Sequence, residues 1–594
     1  MRLNNGYGLL LYRRGSFAAS IGCFKKAIEK QTWKNPNPYY GESYFNLGLA
    51  LVMTGDVQAA YDAFYKSTWS YETQGAGYYW LPCLSCRKGE YRQALEFIDN
   101  SLIRGWHNMK ARTLKAAILR MLSEDNEPLI AESRSIDPLD MGTLYECALR
   151  RNDLSEWKSK MREPAHNYLE LALDYMKAGF YEDAFAILDS CADSSPMLPY
   201  YKGYIYELKG EMGEAARMHQ LGEAADSSYC FPNRPEEVLI LESAVRLLED
   251  APFAHYYLGC LLYDKKQYEK AVSHWESAAE KAPGFGMNWR NLAIAYYNRQ
   301  NDIGKALECM AKACSLDPSS SRFLLEYDQL RARAGVSAED RLALLGAHLE
   351  LVEYRDALYV EYITLLNNTG QYDKALDCLN GHKFHPWEGG EGKVSTQYRY
   401  ALTQKALKLL ADASYDEAIC LLDATKAYPE NLGEGKLPNV QDNMADYYLG
   451  MAYKAKGDST TARSYFEKAS TGLEEPSSVL YYNDQPCDTI LYQGLANEEL
   501  GNRAAARKCY HQLLAFGEKH IFDNVTYDYF AVSLPEIEVF PENIKERNDI
   551  YCQYLMALGN IGLEEKEKAA EILHKILATK PDYQGAVCHL PLAE

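Results

Sequence analysis

The chain has 594 residues, of which 47% are hydrophobic, and a formal net charge of −20. That length exceeds what one hydrophobic core supports, so the chain is either several domains or a repeat array, and its apolar content excludes wholesale disorder. Its 63 basic residues are spread among 83 acids, which excludes a nucleic-acid partner, and no segment is long and apolar enough to cross a bilayer, so no membrane partner is expected.

At the N-terminus the run Leu9-Leu10-Leu11 precedes Arg13-Arg14, the reverse of a secretory signal, and the sequence reads as cytoplasmic. Fifteen cysteines are too sparse for a disulfide framework and fall within helical patterns, as at Cys309 and Cys420. Tyrosine is the compositional outlier with 48 copies, many in pairs near the starts of helices (Tyr78-Tyr79, Tyr200-Tyr201, Tyr256-Tyr257). One member of each pair is expected in the core, and the other either in the core as well or on an inner concave surface.

Taken in chain order, the elements repeat. Gly8, Leu11, Phe24 and Ala27 set a spacing that returns at Leu47, Gly48, Leu51, Ala60 and Phe64. Between them lies Asn35-Pro36-Asn37-Pro38, ahead of a helix whose first turn holds Glu42, where a carboxylate is favoured by the helix dipole. A weaker copy centres on Ala94, and residues 120–165 lose the period, reading as a seam or long loop. The spacing resumes at Leu171, Ala172, Tyr175, Ala184 and Leu188, and again at Gly203, Tyr206 and Ala215, before an irregular stretch over 222–252.

The clearest pair of copies runs from His255 to Pro318. Leu258, Gly259, Leu262, Ala271, Trp275, Ala278 and Pro283 are answered by Leu292, Ala293, Tyr296, Ala306, Met310, Ala313 and Pro318. This is the tetratricopeptide-repeat (TPR) signature, two helices per unit of about 34 residues. A small residue in the first helix lets the second cross close to its backbone. The large residue four positions after Ala271 or Ala306 is expected in the groove between successive hairpins, and proline ends the second helix. Weaker copies follow at Ala375, Ala418 and Ala569, and good ones at Leu449/Gly450/Phe466 and Gly494/Ala506/Tyr510. Residues 515–550 are again irregular. Glycine turns such as Thr54-Gly55-Asp56 and Lys456-Gly457-Asp458 separate the helices. The expected fold is an all-α superhelical TPR solenoid of about 11–13 hairpins, in segments 1–164, 165–380 and 381–594.

Two loops depart from the repeat and resemble each other. His382 to Lys393 contains Trp387-Glu388-Gly389-Gly390-Glu391-Gly392-Lys393, and Tyr428 to Leu437 contains Asn431-Leu432-Gly433-Glu434-Gly435-Lys436. Both follow a second helix, so they should emerge side by side. They read either as wide turns whose Glu and Lys pair with neighbouring repeats, or as a ligand- or domain-docking edge. The candidate binding residues are therefore Trp387, Glu388, Glu391, Lys393, Asn431, Glu434 and Lys436, with Asn37 and Glu42. No phosphate-cradle spacing is present. Cys83 and Cys86 have metal-type spacing without a second cysteine pair, and His382, His385 and Glu388 lack a second ligand pair, so neither is read as a metal site. No catalytic or cofactor-binding motif is recognised.

At these loops the chain resembles a bacterial family in which a β-rich domain of unknown function, numbered 5107, precedes a long TPR region. The resemblance rests on Asn35 through Gly48, Phe231 to Leu241, Tyr256 to Asp264, Phe384 to Lys393 and Tyr428 to Pro438. It implies a TPR region preceded by a β-rich domain similar to carbohydrate-active sandwiches, a domain the sequence here is expected to lack; on the scaffold reading the Gly-Glu-Gly-Lys edge would dock that domain or its equivalent. The leading functional expectation is a scaffold, more a binding protein than an enzyme, that grips a protein or peptide. The alternative is an accessory part of a carbohydrate-processing site. There Trp387 would stack on a sugar, and Glu391 or Glu434 would act as acid or base.

Overall fold

The computed structural model describes the chain except Pro38, Glu388 and residues 480–483 and 527–537. Among the described residues there is no strand, and helix follows helix from Arg2–Arg13 to Gln584–Ala593. They form stacked TPR hairpins, an all-α solenoid fold, within two compact units, Met1–Leu292 and Ala293–Glu594.

The hairpins close through one steric relation. A Cβ placed on Gly8 would lie 2.6 Å from the ring of Phe24, and the same holds for Gly48 with Phe64. Gly259 with Trp275 and Gly450 with Phe466 stand at 2.5 Å, and Gly494 meets Tyr510 likewise. The ring always follows its glycine by sixteen residues. The large side chain therefore lies on the first helix of its own hairpin and also meets the next hairpin, as the spacing suggests, Phe64 stacking on Trp80 with ring centroids 5.4 Å apart. Turn chemistry fixes the approach. Gly15, Gly55 and Gly457 end first helices with φ near +80°, and Asp56 and Asp458 then cap the second helices by accepting the Ala59 and Thr461 N–H groups at 3.1 and 3.0 Å.

The stretch 120–165, read as a seam, is helical: Glu127–Ile136, Met141–Arg151 and Ser155–Met161. Its period is hidden because ionic groups occupy core positions. Glu146 is fully buried, with Arg120 at 2.9 Å and the Tyr175 hydroxyl donating to it at 2.8 Å. Burial pushes the Glu146 carboxyl up from its ordinary pKa, and the arginine and tyrosine oppose that shift. The stretch 222–252 likewise contains the helix Pro235–Leu247, with buried Glu237 accepting the Asn233 and Arg234 N–H groups at 2.6 and 2.8 Å.

Within the first unit the hairpins close on one another and leave a cavity of about 360 Å³ lined by Tyr79, Lys110, Asp140, Glu170 and Asp174. One apolar cluster runs from Phe17 to Ala271, the Gln267 amide donates to the Arg14 carbonyl, and Arg87 donates to the Lys177 carbonyl at 2.8 Å. Several tyrosines of this unit are core residues, while half-buried Tyr79 lines the cavity. Tyr200 and Tyr201 are both fully buried, the core-only alternative, and the Tyr201 hydroxyl donates to Glu237 at 2.8 Å. The helix Arg2–Arg13 exposes Leu3, Tyr7 and Leu10, an apolar stripe at the end of the array.

Two predictions follow from this packing. Gly450→Ala forces its Cβ into the Phe466 ring and should cost about 1–3 kcal/mol in urea unfolding. Phe466→Ala in the same chain should remove that added cost, so the double-mutant cycle is non-additive. At the equivalent large position His219 is fully buried over Gly203, its Nε2 2.9 Å from the Ser243 hydroxyl. Burial holds its pKa down to about 4, with Glu207 opposing and Arg246 reinforcing the shift. The unfolded imidazole titrates near 6.5. The unfolded chain therefore binds the extra proton, and stability falls as pH drops from about 6.5 to about 4, by up to about 3 kcal/mol. His219→Phe should flatten that part of the stability–pH curve.

Candidate functional site

The second unit is more open on its inner face than the first. A cavity of about 770 Å³ opens on its inner face. Three successive first helices form the floor: Lys393–Ala411 contributes Arg399, Tyr400, Thr403 and Gln404; Asn443–Ala455 contributes Met444; Asp488–Glu499 contributes Asp488 and Thr489. The last helix, Gln584–Ala593, forms the opposite wall with Gln584, Cys588 and His589.

That wall is pinned by polar contacts at each turn. The Gln584 amide donates to Asn368 at 2.9 Å and to Gln397 at 3.0 Å. The Gln404 amide reaches the Cys588 sulfur at 3.0 Å. His589 is buried between the Tyr492 hydroxyl, 2.9 Å from Nε2, and the Tyr554 hydroxyl, 3.1 Å from Nδ1, with the Gly585 carbonyl 2.8 Å from Nδ1. Nδ1–H donating to that carbonyl leaves Nε2 to accept from Tyr492. Burial lowers the His589 pKa against the pull of Asp488, which keeps the ring neutral. Burial also pushes the Cys588 thiol up to about 12, so it is protonated and not a nucleophile at neutral pH.

The two glycine-rich loops form the mouth, side by side as their positions after second helices require. They are clamped to one another. The Phe384 N–H donates to the Asn431 carbonyl at 2.8 Å. Glu434 accepts the Gly392 N–H at 2.8 Å through one oxygen and the Ser395 hydroxyl at 2.6 Å through the other. Gly392, at φ +76°, is thereby set as the N-cap of Lys393–Ala411. The indole of Trp387 lies directly over Gly390, where any side chain would collide with it, and Gly433 passes against the Phe384 carbonyl. The repeated Gly-Glu-Gly-Lys sequence therefore builds a double loop in which the second Glu grips the first loop's backbone.

Of the predicted residues, Trp387, Glu391 and Glu434 line the cavity. Asn431 spans the Leu379 and His382 carbonyls at 2.7 Å each. Lys436 bonds the Lys426 carbonyl at 3.0 Å and Asp442 at 2.6 Å. Lys393 is exposed in the first turn of its helix. Glu388 lies outside the described residues. Asn37 and Glu42 belong to the first unit, where Asn37 accepts from Lys66 at 2.7 Å and Glu42 stands in the first turn of Glu42–Met53. His382 and His385 both turn to Asp356, at 2.8 and 3.4 Å, and Cys83 and Cys86 are buried in Tyr71–Arg87. Among the described residues no group of three or more His, Cys, Asp or Glu is placed to hold a metal.

The sequence reading missed the floor and the wall. Thr396, Arg399, Tyr400, Thr403 and Gln404 recur at three- and four-residue intervals on one helix face, and that spacing of polar residues on a first helix was the available signal.

Comparison with known proteins fits this architecture. The tetratricopeptide-repeat family matches residues 7–71, 252–285, 444–470 and 488–515. The chain carries TPR repeats. Among solved structures it is similar to residues 41 to the end of MamA from Desulfovibrio magneticus RS-1, at 21% identity over 32% of this chain and 96% of that one, with a TM-score of 0.20. It is also similar to YrrB, described as a TPR protein with an unusual peptide-binding site, at 15% identity over 37% and 92%, with a TM-score of 0.15. The repeats give the chain the fold of a protein-interaction scaffold. No helix among the described residues is long and apolar enough to cross a membrane.

If the Glu434 clamp sets the mouth, Glu434→Ala should free the Gly392 N–H and the Ser395 hydroxyl and cost about 2–3 kcal/mol. The check is thermal unfolding together with amide exchange, which should accelerate over residues 385–396 and leave the first unit unchanged.

Proposed function

We propose that this protein is a TPR scaffold whose second unit seats part of a protein partner in the cavity framed by the clamped loops. The observation that carries this reading is the cavity itself. Where the first unit leaves about 360 Å³ on its inner face, the second leaves about 770 Å³ open, with an indole at the rim and a floor on which Thr403 and Gln404 stand beside charged Arg399 and Asp488. A cavity of that size takes one or two side chains or a short chain segment. The compartment that fits a partner-holding role for a chain of this composition is the cytoplasm. A docked β-rich domain, as the family resemblance implies, is one form such a partner could take.

The accessory carbohydrate reading has less support. It needs a pair of carboxylates ready to act as acid and base; both Glu434 oxygens are committed to holding the adjoining loop, which leaves Glu391 alone of the two glutamates it named.

Thr403 stands half-buried on the cavity floor, so Thr403→Trp should fill the space without disturbing the loop clamp. Capture of partner proteins from the native host by the full chain should drop about tenfold or more with Thr403→Trp, as for loss of a central anchor pocket, and persist with an exposed control such as Lys393→Ala. Equal capture by wild type and Thr403→Trp would remove the cavity from the binding account.

A further inference from the structure

The cavity of the second unit carries a charge imbalance that its own contacts do not answer. Among the described residues its lining holds four carboxylates, Glu391, Glu434, Asp484 and Asp488, against one guanidinium, Arg399. Arg399 faces Asp442 at 3.8 Å, and Lys436 bonds the same carboxylate at 2.6 Å, so these two cations already share an anion. Glu434 is engaged with the loop it clamps, but through an N–H and a hydroxyl that bring no positive charge. His385 turns to Asp356 at 3.4 Å.

Asp488 is the clearest case. It stands half-buried in the first turn of Asp488–Glu499, where the helix dipole favours a carboxylate. That placement accounts for its charge but supplies no counter-ion. Among the described residues no side chain hydrogen-bonds or ion-pairs with it. The groups that feel its charge are neutral. Burial raises the pKa of Tyr554, Tyr583 and Cys588, and Asp488 raises each further, while burial keeps His589 neutral against the same pull. Aromatic faces complete the lining, where Trp387, Tyr400 and Tyr428 are half-buried.

We propose that the segment seated in this cavity is basic, with an arginine side chain of the partner pairing with Asp488 and stacking on the aromatic walls. The inference rests on the scaffold reading above and adds the chemistry of the occupant. A carboxylate half withdrawn from water gains more from a counter-ion than one fully exposed. A guanidinium suits this combination because it is flat, stacks on rings and forks onto a carboxylate. A neutral or acidic segment would instead cover the excess of carboxylates without compensation. The volume of about 770 Å³ has room for the residues that flank the arginine, so a chain segment fills it and a lone small cation does not.

The test uses the full chain in calorimetric titration with four probes. These are the end-blocked peptide Gly-Ala-Arg-Gly-Arg-Ala-Gly, the same peptide with citrulline at both arginines, the same with glutamate there, and spermidine. The arginine peptide should bind about tenfold or more tighter than the citrulline peptide, which keeps the shape without the charge, and the other two should not bind. Asp488→Asn should weaken the arginine peptide about tenfold, and Asp488→Glu should restore most of it. Asp416→Asn, at an exposed carboxylate outside the cavity, should leave it unchanged. No binding of the arginine peptide, equal binding of the citrulline peptide, equal binding of spermidine, or indifference to Asp488→Asn would each overturn the assignment. Capture from the native host separates this inference from the reading beneath it. A partner lost with Thr403→Trp but kept with Asp488→Asn would overturn the basic occupant and leave the cavity as the seat, whereas a partner kept with both would remove the cavity as well.

Discussion

The contact between a first-helix glycine and a ring sixteen residues later is the constraint on which the array depends. It holds for Gly8 and Phe24, Gly48 and Phe64, Gly259 and Trp275, and Gly450 and Phe466. Each ring is buried at 4% exposure or less, so it anchors its hairpin, and the glycine is what allows the two backbones to approach closely enough for it to do so. Substituting either partner disturbs a whole hairpin, because neither helix buries its apolar face alone. Where the ring is His219, the same geometry carries an ionisable group into the core and ties the stability of that hairpin to pH.

That constraint is also why the fold was legible. A steric demand between residues close in sequence leaves a fixed spacing, and the spacing identifies the repeat without knowledge of the rest of the chain. Legibility failed where the demand was met by other chemistry. Glu146, Arg120 and Asp183 hold together the region around Met141–Arg151 with charged groups, so an apolar period cannot be seen there although the helices are present. It failed again for the closure of the first unit, because the contact of Gln267 with Arg14 depends on curvature accumulated over several hairpins and not on any one spacing.

The loops show a subtler case. The duplicated Gly-Glu-Gly-Lys was visible, and its position after second helices was enough to set the two copies side by side. Its chemistry was not readable from one strand of sequence. Glu434 belongs to one loop, but its partners, Gly392 and Ser395, belong to the other loop and the helix it caps. Lys436 offers a cation on paper, yet its charge is matched by Asp442 close by in the chain. Floor residues such as Arg399 and Gln404 were passed over for the opposite reason, since polar residues on a helix are ordinary until the helix is known to face a cavity.

A repeat whose interior is this tightly specified leaves two places free to vary: the inner face of first helices and the ends of second helices. The second unit uses the first of these. Its enlarged loops, locked together by Glu434, stand at the mouth of a space that consecutive hairpins do not fill. The first unit keeps a smaller inner cavity, of about 360 Å³, and varies the second place as well, exposing Trp33, Trp69 and Trp106 just beyond helix ends. Both arrangements follow from the same mechanics. Stacking converts a position within one repeat into a ruled line of equivalent positions across several, so a single side-chain choice, repeated, becomes a surface with the period of the fold.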